Sequence, residues 1–289
     1  MFRCALVIAL LVVAVTARNR QRFEGLLRDK PLTSHVVNPI DYSKVAVPDT
    51  FSWANVNGTN WLTPSRNQHI PQYCGSCWAM SATSVLADRM KIMRNAQWPE
   101  YMVAVQTVVY CASSGCMGGS LTSAFEFVKD NGVGTDPCQN YVALGNGQNC
   151  TAINKCQNCM PGKGCWAVAD YPTVGVSEYG TILGEQQMMA EIVARGPIVC
   201  GIDAGPIVDW YMPQAAGVFT GGVNDNDIDH AISVVGFGTE NGTPYWLIRN
   251  SWGEYWGDSG FFKLQRGQNN LGIEKESCSW AVPIAPKAL

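Results

Sequence analysis

The chain has 289 residues, of which 47% are hydrophobic and 15% charged, with 12 cysteines and a formal net charge of −3. That length supports one large domain or two medium ones with a packed core, and the composition excludes a disordered or fibrous chain. The acidic balance gives no support to binding of nucleic acid or of an anionic membrane surface.

Arg3 precedes "CALVIALLVVAVTA", an apolar run that ends in small residues at Ala17. A membrane helix needs about 20 apolar residues. This run is shorter and closes on a cleavage-like site, so residues 1–17 are read as a secretory signal, and no other run is long enough to span. Secretion places the cysteines in an oxidising compartment where disulfides form. Residues 18–46 carry six Lys/Arg against three Asp/Glu, whereas residues 47–289 carry thirteen against twenty. A short basic leader before an acidic body reads as a pro-segment held partly by charge. The leader contains Pro31 and Pro39 and shows no long periodicity, so little structure of its own is expected.

From Val47 aromatic and turn-forming residues mix, as in an ordered loop. Residues 77–93 place Trp78, Ala82, Val85, Leu86, Met90 and Met93 at steps of three and four, which predicts an amphipathic helix with Cys77 in its first turn. Shorter helices are expected near 103–110, 120–130 and 185–195. Residues 134–165 hold five cysteines among Gly, Asn and Gln with no period, a loop-rich region needing cross-links. After Pro197 the pattern turns to strands, "IVCGIDA", "HAISVVGFG", "YWLIRNSWG" and "GFFKLQ", separated by turns such as Asn241-Gly242. A helical half followed by a strand-rich half predicts an α+β fold with two lobes.

The chemistry centres on "QHIPQYCGSCW", residues 68–78. Once Cys4 leaves with the signal, eleven cysteines remain, an odd number, so at least one thiol is unpaired within the chain. Three readings of "CGSC" compete. A redox dithiol should follow a strand in a βαβ unit, and "RNQHIPQY" is not strand-like. A zinc site could draw on the second CxxC, Cys156 and Cys159, with Cys165 nearby, although crowded cysteines in a secreted chain more often form bridges. In the third reading Cys77 is a nucleophile and Cys74 structural. A thiol then needs an imidazole or a helix N-terminus to activate it. The three histidines are His35 in the leader, His69 beside the thiols and His230 before an apolar strand. Asn250, flanked by aromatic residues, offers an amide that can orient an imidazole, with Trp252 to exclude water.

"CGSCWA" (74–79), "CMGG" (116–119), "DHAISVVGFG" (229–238) and "YWLIRNSWGEYWGDSGFF" (245–262) together resemble the papain-like cysteine proteases, in the family's order and over roughly 47–282. "NQHIPQYCGSCWA" further resembles a carboxypeptidase branch of that family, whose mark is a mini-loop containing "HIP". The resemblance implies a papain-like two-lobe α+β fold, a helical N-terminal lobe and a β-barrel-like C-terminal lobe with the site between them. It implies Cys77 as nucleophile, His230 as its imidazolium partner and proton donor, and Asn250 as the group orienting His230. Gln68 and the Cys77 N–H would form the oxyanion hole. Gly118, Gly119 and Trp252 would line the substrate site, and His69 would bind the substrate's C-terminal carboxylate. It also implies five disulfides, 74–116, 111–150, 138–156, 159–165 and 200–278, leaving Cys77 free.

The expected activity is removal of C-terminal residues through a thioester, by a monomer acting on peptides or proteins with a free carboxylate, with no cofactor or metal. The expected destination is the secretory pathway, ending in a lysosome, a lysosome-like vacuole or the extracellular space. Sequons at Asn57, Asn149 and Asn241 are candidate glycosylation sites. The rivals are a papain-like endopeptidase, a dipeptidyl-carboxypeptidase, whose adjacent histidine pair this chain lacks, and an inactive binding protein of the same fold. The branch's leader carries a cysteine that can bond the active-site thiol. Residues 18–46 contain none, so inhibition by the leader is expected to be non-covalent.

Overall fold

The computed structural model describes residues 25–146, 149–211, 214–222, 227–276 and 278–286. The expected signal and leader residues 18–24 lie outside them. The helices are α1 (Cys77–Met93), α2 (Val105–Cys111), α3 (Ser123–Asn131), α4 (Ala152–Lys155) and α5 (Glu185–Arg195). The strands are β1 (Phe51–Ser52), β2 (Gln157–Met160), β3 (Gly164–Ala167), β4 (Gly175–Ile182), β5 (Ile198–Ile202), β6 (Val218–Phe219), β7 (His230–Glu240), β8 (Thr243–Arg249), β9 (Phe261–Gln265) and β10 (Cys278–Ile284).

The apolar spacing of α1 predicts one buried face, yet Cys77 to Met90 are buried all round. Position explains the difference. α1 lies between α2 and α3 on one side and β7 and β10 on the other, and a helix with no free face is covered throughout. Two polar residues on it are matched accordingly. Asp88 meets Arg249 at the end of β8, Nη2 to Oδ2 at 2.6 Å, and also accepts from the Thr63 hydroxyl at 2.7 Å. Arg89 meets Glu191 of α5 at 2.8 Å. Buried charges persist only when paired in this way. The Asp88–Arg249 pair ties the central helix to the residue just before Asn250.

Among the described residues, the main sheet runs β4-β10-β5-β7-β8-β9-β6, with β1 on β7. β7 and β8 form a hairpin through Asn241 and Gly242, both at positive φ (49° and 81°), the conformation that a tight two-residue hairpin turn requires. Two apolar cores result. One gathers α1, α2 and α3, including Trp78, Leu86 and Phe125. The other packs the sheet against α5 and the aromatic residues Trp246, Trp252, Trp256 and Phe262. These are the two lobes of an α+β fold.

Several elements lie where the sequence showed no period. The region 134–165 contains α4 and the start of the β2–β3 hairpin, whose strands are cross-linked by Cys159–Cys165. The remaining disulfides are Cys74–Cys116, Cys111–Cys150, Cys138–Cys156 and Cys200–Cys278, and Cys77 is the free thiol. Each CxxC is therefore split. Cys74 is bonded away from Cys77, and Cys156 and Cys159 go to different partners, which removes both the dithiol and the zinc reading.

From Gly25 onward the leader is laid along the body. Its only regular turn is the short helix Tyr42–Lys44. His35 exchanges backbone hydrogen bonds with Tyr179 on edge strand β4 at 2.8 and 3.0 Å. The Val37 and Asn38 N–H groups both donate to Glu178 Oε2 at 2.8 Å.

Candidate active site

Cys77 is the first residue of α1, with Ser76 at the cap. The opening N–H groups of a helix have no intrahelical acceptor and carry partial positive charge, which favours a thiolate. The N–H groups of Trp78 and Ala231 act on Cys77 in that sense. Burial acts more strongly in the opposite sense. Cys77 is fully buried, and loss of water pushes its thiol up to about 12. The influence of Ala231 puts the sulfur beside the residue that follows His230. Farther along both elements, the Ser233 hydroxyl donates to Ser81 O at 3.3 Å, so α1 and β7 run in contact away from the thiol.

His230 opens β7 and is fully buried. Its Nε2 lies 2.8 Å from Asn250 Oδ1, an oxygen that also accepts from the Ser251 N–H at 2.8 Å. The Trp252 ring stands 4.9 Å from the imidazole, tilted by 36°. Burial pushes His230 down to about 4, against the opposing effect of the Asn250 contact. Thiol and imidazole are thus both neutral in this covered state.

The mini-loop is fixed at both ends. Residues 66–68 pair with 251–253 through Gln68 N–H to Ser251 O at 2.8 Å and Gly253 N–H to Arg66 O at 3.1 Å. Beyond the loop, Cys74–Cys116 anchors the chain before α1. Gln68 is buried. Its Oε1 accepts from the Ser251 hydroxyl at 2.7 Å and its Nε2 donates to Cys74 O at 3.0 Å. These bonds settle which end of the amide carries N–H and use one of its two protons, leaving the second for a ligand. The Tyr141 hydroxyl donates to Gln68 O at 2.8 Å and lies 2.7 Å from Ser76 Oγ, joining the loop to the helix cap. His69 is half-buried. Its ring stacks on Tyr73 at 5.1 Å and on Trp252 at 6.1 Å. One indole therefore contacts both His230 and His69. Partial burial lowers the pKa of His69.

Sequence reasoning did not single out Ser251, Tyr141 or Tyr73. Ser251 could have been found as the middle residue of Asn-Ser-Trp. Tyr141 lies in an aperiodic loop with no local signal. Tyr73 stands in the mini-loop itself, four residues beyond His69.

Gly118 adopts φ 107°, and the backbone of Gly119 rests on Trp78, where an added Cβ would come within 2.4 Å of the indole. The flat strip so formed is occupied by the leader. Leu27 N–H donates to Gly119 O at 2.9 Å, Leu26 N–H to Asp229 O at 3.1 Å, and Gly119 N–H to Gly25 O at 3.4 Å. Gly25 stands over the thiol, where a Cβ would fall 2.4 Å from Cys77 Sγ. The cleft between the lobes is closed by the chain's own leader, running parallel to Gly119. Asn57, Asn149 and Asn241 are all exposed.

The model of the papain family cysteine proteases matches residues 47–281. The chain is 42% identical over 255 residues to cathepsin Z of Onchocerca volvulus, covering 85% of this chain and 81% of that one. Among solved structures, the digestive procathepsin L2 proteinase of the Tenebrio molitor larval midgut matches with a TM-score of 0.63 at 30% identity, over 82% of this chain and 69% of that one. Procathepsin B S9 of Trypanosoma congolense matches with a TM-score of 0.68 at 23% identity, over 93% and 87%, a likeness of fold. With the match spanning nearly all of the body, the chain belongs to the papain family of cysteine proteases.

Proposed function

We propose that the protein is a cysteine carboxypeptidase made as a latent precursor, with residues 1–17 as signal, 18–46 as pro-segment and 47–289 as the peptidase. Cys77 Sγ attacks the substrate carbonyl carbon while its proton passes to His230. Asn250 holds the imidazole in line under Trp252. The second Gln68 N–H and the Cys77 backbone N–H receive the oxyanion. His230 then protonates the leaving nitrogen, the C–N bond breaks and a thioester remains. Water, deprotonated by His230, hydrolyses the thioester and restores the thiol.

The observation that carries the exopeptidase reading is the position of His69, stacked on the same indole that contacts His230 and on a loop tied to the oxyanion donor. A group there lies on the leaving-group side and ends the cleft. An imidazolium would pair with the substrate's terminal carboxylate, and the favoured substrate loses one residue per turn. The 42% identity to a cathepsin Z supports the same reading. The reading needs one copy of the chain, and we place its site of action in a lysosome-like vacuole or outside the cell, with Asn57, Asn149 and Asn241 as glycan acceptors.

Latency is explained by burial. With the leader in place both members of the pair are neutral. Its removal admits water, lowers the cost of charge on each, and allows the thiolate–imidazolium pair to form. Mass spectrometry of peptide products over time is the test. A ladder losing single C-terminal residues is expected, and internal fragments as first products would overturn the carboxypeptidase reading.

A further inference from the structure

Residues 141–144 form a brace beside the mini-loop, and α2 holds the brace. The side chain of the buried Gln106 accepts from the Val142 N–H at 2.9 Å and donates to Leu144 O at 2.6 Å. From this fixed segment two contacts reach the mini-loop. Gln72 Nε2 donates to Ala143 O at 3.2 Å, and the Tyr141 hydroxyl donates to Gln68 O at 2.8 Å. The same hydroxyl lies 2.7 Å from Ser76 Oγ. A phenol carries one proton. With that proton on Gln68 O, the Ser76 O–H donates to the Tyr141 oxygen, and a relay runs from Ser76 through Tyr141 to Gln68. Serine at a helix cap ordinarily accepts from an N–H of the first turn. Ser76 is fully buried at the cap of α1 and makes no such bond; its hydroxyl is given to Tyr141 instead.

We propose that Tyr141 is the positioning residue of the oxyanion hole, setting the distance between the Gln68 amide and the Cys77 N–H. This rests on the assignment of those two groups as the oxyanion donors. They come from different segments, the mini-loop and the start of α1, yet both have to point at one oxygen from about 3 Å. Each end of the relay stands next to one of them. Ser76 contributes the carbonyl half of the peptide unit whose N–H is that of Cys77, and Gln68 carries the other donor on its side chain. Ser251 and Cys74 fix the amide end of Gln68; Tyr141 fixes its backbone end. Ring and hydroxyl have separable roles. The ring packs on the apolar core around α1, whereas the hydroxyl makes the relay. Burial pushes Tyr141 up to about 12, so the O–H keeps its proton and its direction of donation through neutral pH.

The test is a cycle of variants made in the full chain, which is folded first and then freed of its leader by limited proteolysis. Turnover is read on a peptide acid and on its C-terminal amide. Tyr141→Phe keeps the ring and removes the relay. It should lower kcat about tenfold, the loss of two neutral hydrogen bonds that hold a transition-state donor, with KM unchanged and the same loss on acid and amide. Alkylation of Cys77 by iodoacetamide, which forms no oxyanion, should proceed as in the wild type. In a Gln68→Ala background the donor is already gone, so Tyr141→Phe should add almost nothing. Ser76→Ala breaks the relay at its other end and should show the same pattern at about fivefold. An unchanged kcat in Tyr141→Phe, or a loss that is equally large in the Gln68→Ala background, overturns the proposal while Gln68→Ala by itself still judges the oxyanion assignment. Slowed alkylation in Tyr141→Phe would mean disturbed packing around the thiol and overturns it as well. Full turnover in Gln68→Ala overturns both the assignment and the proposal.

Discussion

The two histidines of the site are held in different ways. His230 opens a long central strand, is fully buried, has Asn250 at 2.8 Å, and borders a residue whose N–H acts on the thiol. His69 rides on a short irregular loop, is half-buried, and is positioned by stacking between Tyr73 and Trp252. The shared indole brings the two together. On the proposed function the difference is a division of labour: the reacting groups would sit on the ends of regular elements, whose geometry is over-determined, and substrate choice on a loop that can change without disturbing them. The same division separates Gln68, buried and fixed through both atoms of its amide, from its immediate neighbour His69.

The sharpest way to break this comparison is to remove the reacting half. Cys77→Ala should lower kcat on the order of 10⁶-fold, the size seen when the nucleophile of a coupled catalytic group is deleted, with the fold intact by circular dichroism. Retained turnover would place the chemistry elsewhere.

Latency gives the next effect. Burial moves the Cys77 thiol from 9.0 to about 12 while the leader is bound. Because the thiolate fraction at a pH well below the pKa falls tenfold for each unit that the pKa rises, its population there falls by roughly 10³-fold, and alkylation of Cys77 in the full chain should be slowed on that order. The rate should keep rising with pH up to about 12 without levelling off earlier, whereas His230, held near 4, supplies no cation over that range. With no cysteine in residues 18–46, mild reductant should not speed the reaction, and cleavage of the leader should. Activation by reductant without cleavage would contradict a non-covalent block.

Gln68→Ala removes one oxyanion donor and should cost about 10²–10³-fold in kcat with little change in the acid-to-amide preference. The smallest effect belongs to Ser251→Ala, which frees the Gln68 amide to turn. Loss of one neutral hydrogen bond, about 1 kcal/mol, corresponds to roughly a fivefold drop in kcat. A shift in carboxylate preference in either variant would mean that the two halves of the site are not separable.

Much of this arrangement was legible in the sequence because it sits on periodic elements or compact motifs. The 3.6-residue spacing marked α1 with Cys77 at its start, and the odd cysteine count required a free thiol. The alternation after Pro197 marked β5, β7, β8 and β9, and the Asn241-Gly242 turn marked the β7–β8 hairpin. What did not show has a common cause. β4 reads "GVSEYGTI" and β10 ends in "VPI"; glycine, charge and proline interrupt the pattern, and both are strands because neighbours complete their ladders. The full burial of α1 is a tertiary fact that its polar Asp88 and Arg89 conceal until their partners on β8 and α5 are known. Tyr141 and Ser251 act through atoms far away in sequence. The leader's fit to the cleft depends on Gly25, whose lack of a side chain is informative only beside the thiol it covers.

The central claim is that a mini-loop histidine turns a general peptidase site into one that reads a chain terminus. It is tested most directly by kcat/KM for a peptide acid and its C-terminal amide, on the leader-cleaved wild type and on His69→Ala. The wild type should prefer the acid by at least about tenfold, the value of one charge-assisted hydrogen bond. Because the His69 pKa is lowered, its charge is gained only as pH falls below the ordinary histidine range near 6.5, so the preference should grow toward acid pH. His69→Ala should bring acid and amide to parity at every pH, by losing the acid and not by losing turnover of the amide. Equal cleavage of the two by the wild type, or a preference that survives His69→Ala, would contradict the account.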